Sequence, residues 1–167
     1  EVKILFEGAQ GFGLDIDWGD YPYVTSSHCT TASALLNSVP PQAIRNIFGV
    51  AKVYETYVGA KTFQPGDTIF DAIRDAGEEY GATTGRPRQC NWMSWDLLKK
   101  AININGVTDL IVNKVDVLEK IGRWELLYED KPVRFATGTA MKDWLTIFSK
   151  MLPTINNVTF SGKKDGI

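Results

Sequence analysis

Long apolar runs, paired cysteines and histidine clusters are all missing from this sequence. No apolar stretch approaches the roughly 20 residues that a membrane-spanning helix needs. The two cysteines, Cys29 and Cys90, stand far apart without Cys-x-x-Cys or Cys/His ligand spacing. That spacing suggests neither a disulfide framework nor a zinc site, and a reduced, cytosolic protein is expected. His28 is the single histidine and reads as a loop residue. A net charge of −2 leaves no footprint for nucleic acid or for an anionic membrane, so neither is expected as a partner. GxxxxGK[ST] and a helix-opening GxGxxG are both absent, so this chain holds no P-loop. The N-terminus has no signal-peptide pattern; Glu1-Val2-Lys3-Ile4-Leu5-Phe6 reads as a strand that starts abruptly. Repeats, low-complexity tracts and linkers are lacking too.

What is present is ordinary globular composition. The 167 residues are 44% hydrophobic and 23% charged, enough for one domain with a core or a large piece of a bigger one. After the first strand, residues 21–24 read as extended and 25–31 as a hydroxyl-rich loop leading into a helix at 32–36. Pro40-Pro41 predicts a helix carrying Ile44, Ile47 and Phe48 on one face and ended by Gly49. Residues 50–58 alternate as a strand. Asp67 caps a helix with Ile69, Ile73 and Ala76, stopped by Gly77. Residues 92–104 read as a helix burying Trp92, Trp95, Leu98 and Ile102, ended by Gly106. Residues 109–112 form a buried strand, 125–128 and 133–135 a hairpin, 141–152 an amphipathic helix and 158–160 a last strand. Strands alternating with helices predict an α/β fold with a largely parallel sheet and flanking helices.

Chemistry concentrates in a few loops. Gly81-Ala82-Thr83-Thr84-Gly85-Arg86-Pro87-Arg88 joins hydroxyls, guanidiniums, permissive glycines and a stiff proline. Backbone N–H groups freed by glycine, with an arginine fork, suit a carboxylate or phosphate. A solvated turn with two surface arginines is the plain alternative. Asn113-Lys114-Val115-Asp116 follows an apolar strand. A carboxylate there can accept from both N1–H and the 2-amino group of guanine, which adenine cannot offer. The segment resembles the NKxD base-reading motif of G proteins, and Ser161-Gly162-Lys163 resembles their second base-contacting loop.

Taken together, Phe6-Glu7-Gly8-Ala9-Gln10-Gly11, Leu14-Asp15-Ile16-Asp17, Tyr21-Pro22-Tyr23-Val24-Thr25-Ser26-Ser27, residues 80–88 and Lys114-Val115-Asp116 resemble the adenylosuccinate synthetases. Order and spacing match from Phe6 to Asp116, and the tail fits more loosely. The resemblance implies a GTP-driven ligase that joins L-aspartate to IMP with magnesium, releasing GDP and phosphate. It phosphorylates the 6-oxygen of IMP before the aspartate amine displaces that phosphate. It further implies a homodimer, and that residues 1–167 are the C-terminal portion of one domain, an incomplete half of a larger P-loop-like ligase fold. The catalytic Asp and His and the magnesium ligands would lie in the other half. No catalytic or metal-binding residue is therefore expected in this chain, which alone should be inactive.

Carried over by motif, Gln10 would contact hypoxanthine, Leu14 would pack beside the nucleotide and Thr25 would bind its phosphate. Val58 and Gly59 would sit near the ribose, with Arg86 also close to IMP. Ala82, Thr83, Thr84, Gly85, Arg86, Pro87 and Arg88 would form the aspartate loop. Arg88 would face GTP, Lys114, Val115 and Asp116 would read guanine, and Phe160, Ser161 and Gly162 would close over it. The chain departs from the family pattern at Tyr57, which replaces an Arg, at Gln89 and Asn91, and in Lys163-Lys164-Asp165. Two alternatives stand: a viral-type relative that acts on dGMP, and a guanine-nucleotide module that does no ligation.

Overall fold

The computed structural model describes residues 2–81 and 84–162. The α/β architecture is as expected, with its strands divided between two sheets. The helices are α1 (Ala32–Leu36), α2 (Ile69–Ala76), α3 (Trp95–Asn105), α4 (Val115–Ile121) and α5 (Gly138–Lys150). The strands are β1 (Phe48–Lys52), β2 (Tyr54–Tyr57), β3 (Gln89–Ser94), β4 (Asp109–Asn113), β5 (Trp124–Tyr128), β6 (Lys131–Phe135) and β7 (Asn157–Phe160). The first sheet is wholly parallel, in the order β1-β4-β7. The second, β2-β3-β5-β6, has a parallel β3–β5 pair flanked by antiparallel β2 and β6.

The joint between the sheets is Val53. A single strand over 50–58 was expected, but the run splits there into β1 and β2. Val53 is 1% exposed, and its N–H donates to the Asn113 carbonyl at 3.0 Å. Before it the chain pairs with β4, and after it with β3. One buried residue thus routes the chain from one sheet to the other.

Four further expectations are corrected. Residues 2–6 form no strand, and Val2, Ile4 and Leu5 are more than four-fifths exposed. A strand's N–H and C=O groups need a neighbour, and no described strand lies beside this run. The expected helix after Pro40-Pro41 is a single 3-10 turn, Pro41–Ala43, and Phe48 and Gly49 belong to β1. Pairing in register from Phe48↔Asp109 to Lys52↔Asn113 overrides the helical spacing. Gly49 is there for close packing, since a Cβ would come 2.8 Å from Val107 Cγ1. Trp92 lies in β3 and not in the following helix, whose start is set by Ser94 accepting from Leu97 N–H at 3.2 Å. Residues 21–24 are a turn, closed by Tyr23 N–H to the Asp20 carbonyl at 2.8 Å, and are not extended.

Where helical period and caps agree, expectation and fold coincide. The Ile69 N–H donates to Asp67 Oδ1 at 3.0 Å, and α2 buries Phe70 and Ile73 before Gly77. Gly106 ends α3 in the left-handed conformation at φ 64°. The helix expected over 141–152 with Trp144, Ile147 and Met151 is α5, which starts earlier, at its Thr137 cap, and buries Met141, Leu145 and Ser149, while Ile147 and Met151 are exposed. The core joins these faces to Tyr54, Met93, Leu110, Val112, Leu118 and Leu126. Each such side chain contributes about 1.5–3 kcal/mol through burial. Trp92, Trp95 and Trp124 are buried with them, as core tryptophans. Among the described residues no helix is long and apolar enough to cross a membrane.

Candidate functional site

Parallel strands deliver their carboxyl ends to one edge, and the polar loops gather there. β4 runs directly into Lys114, whose backbone is left-handed (φ 63°) and turns the chain into α4. That helix was not foreseen; Val115, Leu118 and Ile121 followed by Gly122 are the signal that could have revealed it. The turn after β7 is laced to the same place. Ser161 donates its N–H to the Val112 carbonyl at 3.0 Å and accepts from Val115 N–H at 3.2 Å. A Cβ on Gly162 would stand 3.0 Å from Asp116 Cβ and 3.4 Å from its Oδ1. Lys114, Val115 and Asp116 therefore meet Ser161 and Gly162, while Phe160 pairs with Val112 and packs on the core. Asp116 Oδ1 and Asn113 Oδ1 are buried with no hydrogen-bond partner among the described residues. A buried orphan acceptor is costly and calls for a donor from elsewhere.

The loop at 81–88 is a narrow hairpin. Its base is the Tyr80–Pro87 bridge, with Gly81 N–H donating to Arg86 O at 2.8 Å and Arg88 N–H to Glu79 O at 2.9 Å. Gly85 takes φ 64°, a conformation that favours glycine. Thr84, Gly85, Arg86 and Pro87 are exposed, and Arg88 is half-buried. Ala82 and Thr83 lie outside the described residues. Arg86 is exposed, and its side chain makes no hydrogen bond to a described residue.

Behind the hairpin lies a polar cluster whose centre sequence reading missed. The Glu79 carboxylate, 3% exposed as a residue, accepts from Lys52 Nζ at 2.8 and 2.7 Å and from Tyr54 Oη at 2.8 Å. Arg88 Nη1 reaches it at 3.2 Å, and Lys114 Nζ donates to the nearby Gly77 carbonyl at 2.8 Å. Burial works to raise the Glu79 carboxyl, but the hydrogen bonds from Lys52 and Tyr54 outweigh it and hold it below the usual range. Burial pushes Lys52 down and Tyr54 up, the latter aided by its bond to Glu79. The only sequence signal was an acid placed just ahead of a loop with two arginines.

A third group is built on the 3-10 turn Phe12–Leu14. Asp15 is fully buried and accepts from the N–H groups of Asp17 (2.9 Å), Trp18 (3.1 Å) and Cys29 (2.6 Å). Burial alone would raise its carboxyl, yet these three donors hold it below the usual range. The same fold brings Thr25 N–H to the Leu14 carbonyl at 2.8 Å, while Gln10 stays exposed. An ion pair between Lys61 and Asp20 ties this group to the segment after β2. Gln89 Nε2 donates to the Lys61 carbonyl at 2.7 Å and to the Gly59 carbonyl at 3.4 Å, beside the exposed Val58. Among the described residues no hydrogen bond joins Gln10, Leu14 or Thr25 to the 81–88 hairpin.

Asp15, Asp17 and His28 bring one ligand atom each within 4.8 Å of one another, and His28 Nδ1 pairs with Asp17 at 3.2 Å. They do not suit magnesium. Asp15 has its oxygens committed to backbone donors, and magnesium prefers an octahedron of oxygens and waters to an imidazole.

Comparison with known proteins follows the same lines. Residues 1–129 match the family model described as adenylosuccinate synthetase. An adenylosuccinate synthetase of Xylella fastidiosa is 48% identical over 141 residues, 80% of this chain and 33% of that protein. One of Xanthomonas oryzae pv. oryzae is 51% identical over 120 residues, 70% of this chain and 28% of that protein. The chain spans about a third of the length of these curated relatives. Among solved structures, the fully ligated adenylosuccinate synthetase from Plasmodium falciparum superposes with a TM-score of 0.76 at 26% identity. It covers 89% of this chain and 45% of that one. The cyanophage S-2L succinoaminodeoxyadenylate synthetase bound to dGMP and dATP reaches a TM-score of 0.62 at 22% identity. It covers 93% of this chain and 42% of that one, a likeness of fold.

Proposed function

The chain belongs to the adenylosuccinate synthetase family, and from that premise we propose that it supplies the nucleotide- and aspartate-binding elements of a GTP-dependent ligase. The ligase joins L-aspartate to IMP in purine nucleotide biosynthesis. The observation that carries this reading is the buried, partnerless Asp116 Oδ1 set against Gly162. Guanine supplies the missing donors through N1–H and its 2-amino group. A side chain at position 162 would intrude on that carboxylate, so a glycine there keeps the loop flush with the base. Phe160 and Ser161 bring the loop in, and Lys114 and Val115 shape the turn that presents Asp116.

In this reading the hairpin at 81–88 holds the carboxylates of aspartate. Arg86 contributes a bidentate fork, and the residues from Ala82 to Gly85 contribute N–H and hydroxyl donors. Pro87 stiffens the exit, and Arg88 faces the GTP side. Gln10 donates to and accepts from hypoxanthine, Leu14 lies against the nucleotide, Thr25 binds the phosphate, and Val58 with Gly59 borders the ribose.

Bound magnesium would neutralise the transferred phosphoryl group. Its ligands, and the groups that activate IMP, are proposed to lie outside this chain, which by itself would not ligate. A cytoplasmic homodimer without nucleic-acid or membrane partners completes the proposal. The test uses the complete protein that carries this chain. Adenylosuccinate, GDP and phosphate should form in equal amounts from GTP, IMP and L-aspartate. Productive use of dGMP in place of IMP would reassign the substrate. GTP binding without any ligation would leave a guanine-nucleotide module instead.

A further inference from the structure

Three cations from three separate elements converge on one turn. Lys52 comes from the end of β1, Lys114 from the β4–α4 junction and Arg88 from the exit of the hairpin. All are fastened to residues 77–79, Lys114 through the Gly77 carbonyl and the other two through the Glu79 carboxylate. Glu79 is buried and accepts four side-chain hydrogen bonds from three residues. The Glu79 backbone carbonyl also receives the Arg88 N–H, so the acid holds both ends of that arginine. The Arg88 Nε is buried and has no partner among the described residues. Arg74 fixes the Arg88 carbonyl from the other side at 2.6 Å.

We infer that Glu79 is a positioning residue. Its carboxylate aims Arg88, and the turn it anchors shares a strut with Lys114, so that the hairpin and the guanine-reading turn are held in one fixed relation. This inference rests on the proposed function, because it assigns Arg88 and Lys114 to GTP. Glu79 touches no substrate. It acts by cancelling charge between Lys52 and Arg88 and by removing rotamer freedom from the guanidinium, whose fork is useful only when pre-aimed. A neutral amide at position 79 would keep the volume and lose the charge-assisted grip.

The test is a double-mutant cycle in the complete protein, with GTP, IMP and aspartate kinetics measured for Glu79→Gln, Arg88→Lys and both together. Glu79→Gln should raise the KM for GTP by about tenfold, the effect of losing a charge-assisted hydrogen bond. The KM for IMP should change less than about twofold, since only Arg86 of its proposed contacts lies on this hairpin and Glu79 makes no hydrogen bond to the Arg86 side chain. In the Arg88→Lys background the Glu79 effect should largely vanish. A merely structural role would raise all three KM values together and add independently to Arg88→Lys, and either result overturns the inference. If Glu79→Gln fails to fold, Glu79→Asp serves. It keeps the charge but shortens the reach, and the same selective, non-additive rise in the KM for GTP is expected. Asp116→Asn runs alongside as a control. If it leaves the KM for GTP unchanged, the assignment of this face to guanine falls and the inference falls with it. If it raises the KM for GTP while the Glu79 variants do not, only the role of Glu79 is overturned.

Discussion

Gly162 lies so close to Asp116 that a Cβ built on it would stand 3.0 Å from the aspartate Cβ and 3.4 Å from Oδ1. Two loops about 45 residues apart in sequence thus share one van der Waals surface, with the buried acceptor between them. Gly162→Val should push the 161–162 turn off Asp116. GTP affinity in the complete protein is expected to fall about tenfold, while stability changes by less than about 1 kcal/mol because the turn lies outside the core. Isothermal titration and thermal unfolding check the pair of outcomes.

Asp116→Asn exchanges an acceptor for a mixed donor and acceptor. Guanine offers donors at both N1 and its 2-amino group, so the new amide N–H faces another donor. Xanthine carries an oxygen at position 2 and fits the amide instead. GTP use is expected to drop by about 100-fold, with xanthosine triphosphate preferred in its place. Steady-state kinetics with the two nucleotides read this directly.

Asp15 anchors its loop through three backbone N–H groups. The folded state holds its carboxyl below the ordinary 3.8. A carboxyl lowered on folding contributes stability that is fully present above its unfolded value and is lost as pH falls through the folded value. The contribution therefore disappears below about pH 4 and is constant at neutral pH. Asp15→Asn should cost about 2–3 kcal/mol at pH 7, since buried donors then face an amide NH2. It should also flatten the acid limb of a plot of stability against pH, measured by urea unfolding.

Gly49 sits where a Cβ would come 2.8 Å from Val107 Cγ1. Gly49→Ala is expected to destabilise the protein by about 1–3 kcal/mol through overpacking. Val107→Ala in the same protein should restore part of that loss, although each change alone is destabilising. Denaturant midpoints of the two single variants and the double variant check this.

Much of the local structure was legible in the sequence because it depends on residues near one another in the chain. Asp67 and Gly77 bound α2, and Gly106 ends α3. The apolar strand leading into Asn113-Lys114-Val115-Asp116 was likewise readable, because a buried parallel strand announces itself by composition. Gly49 shows the limit of such reading. A glycine after an apolar run signals a helix end, and only the parallel pairing of β1 with β4 and the nearness of Val107 give it another purpose. Trp92 obeys the spacing of α3 yet lies in β3, because the ladder to Tyr54 takes up its backbone groups.

By itself the sequence determined which residues could carry chemistry: the glycines and arginines of the 81–88 loop, the acid at 116, and the Ser161-Gly162 pair. Their types and order are local properties that need no fold to be read. Tertiary structure decided which of them stand together. It set Gly162 against Asp116, split one strand into two at Val53 and gave Arg88 and Lys52 a common partner in Glu79. Glu79 is an unremarkable acid in the chain. Only burial, which removes water and leaves Lys52, Tyr54 and Arg88 as its partners, makes it the centre of the network.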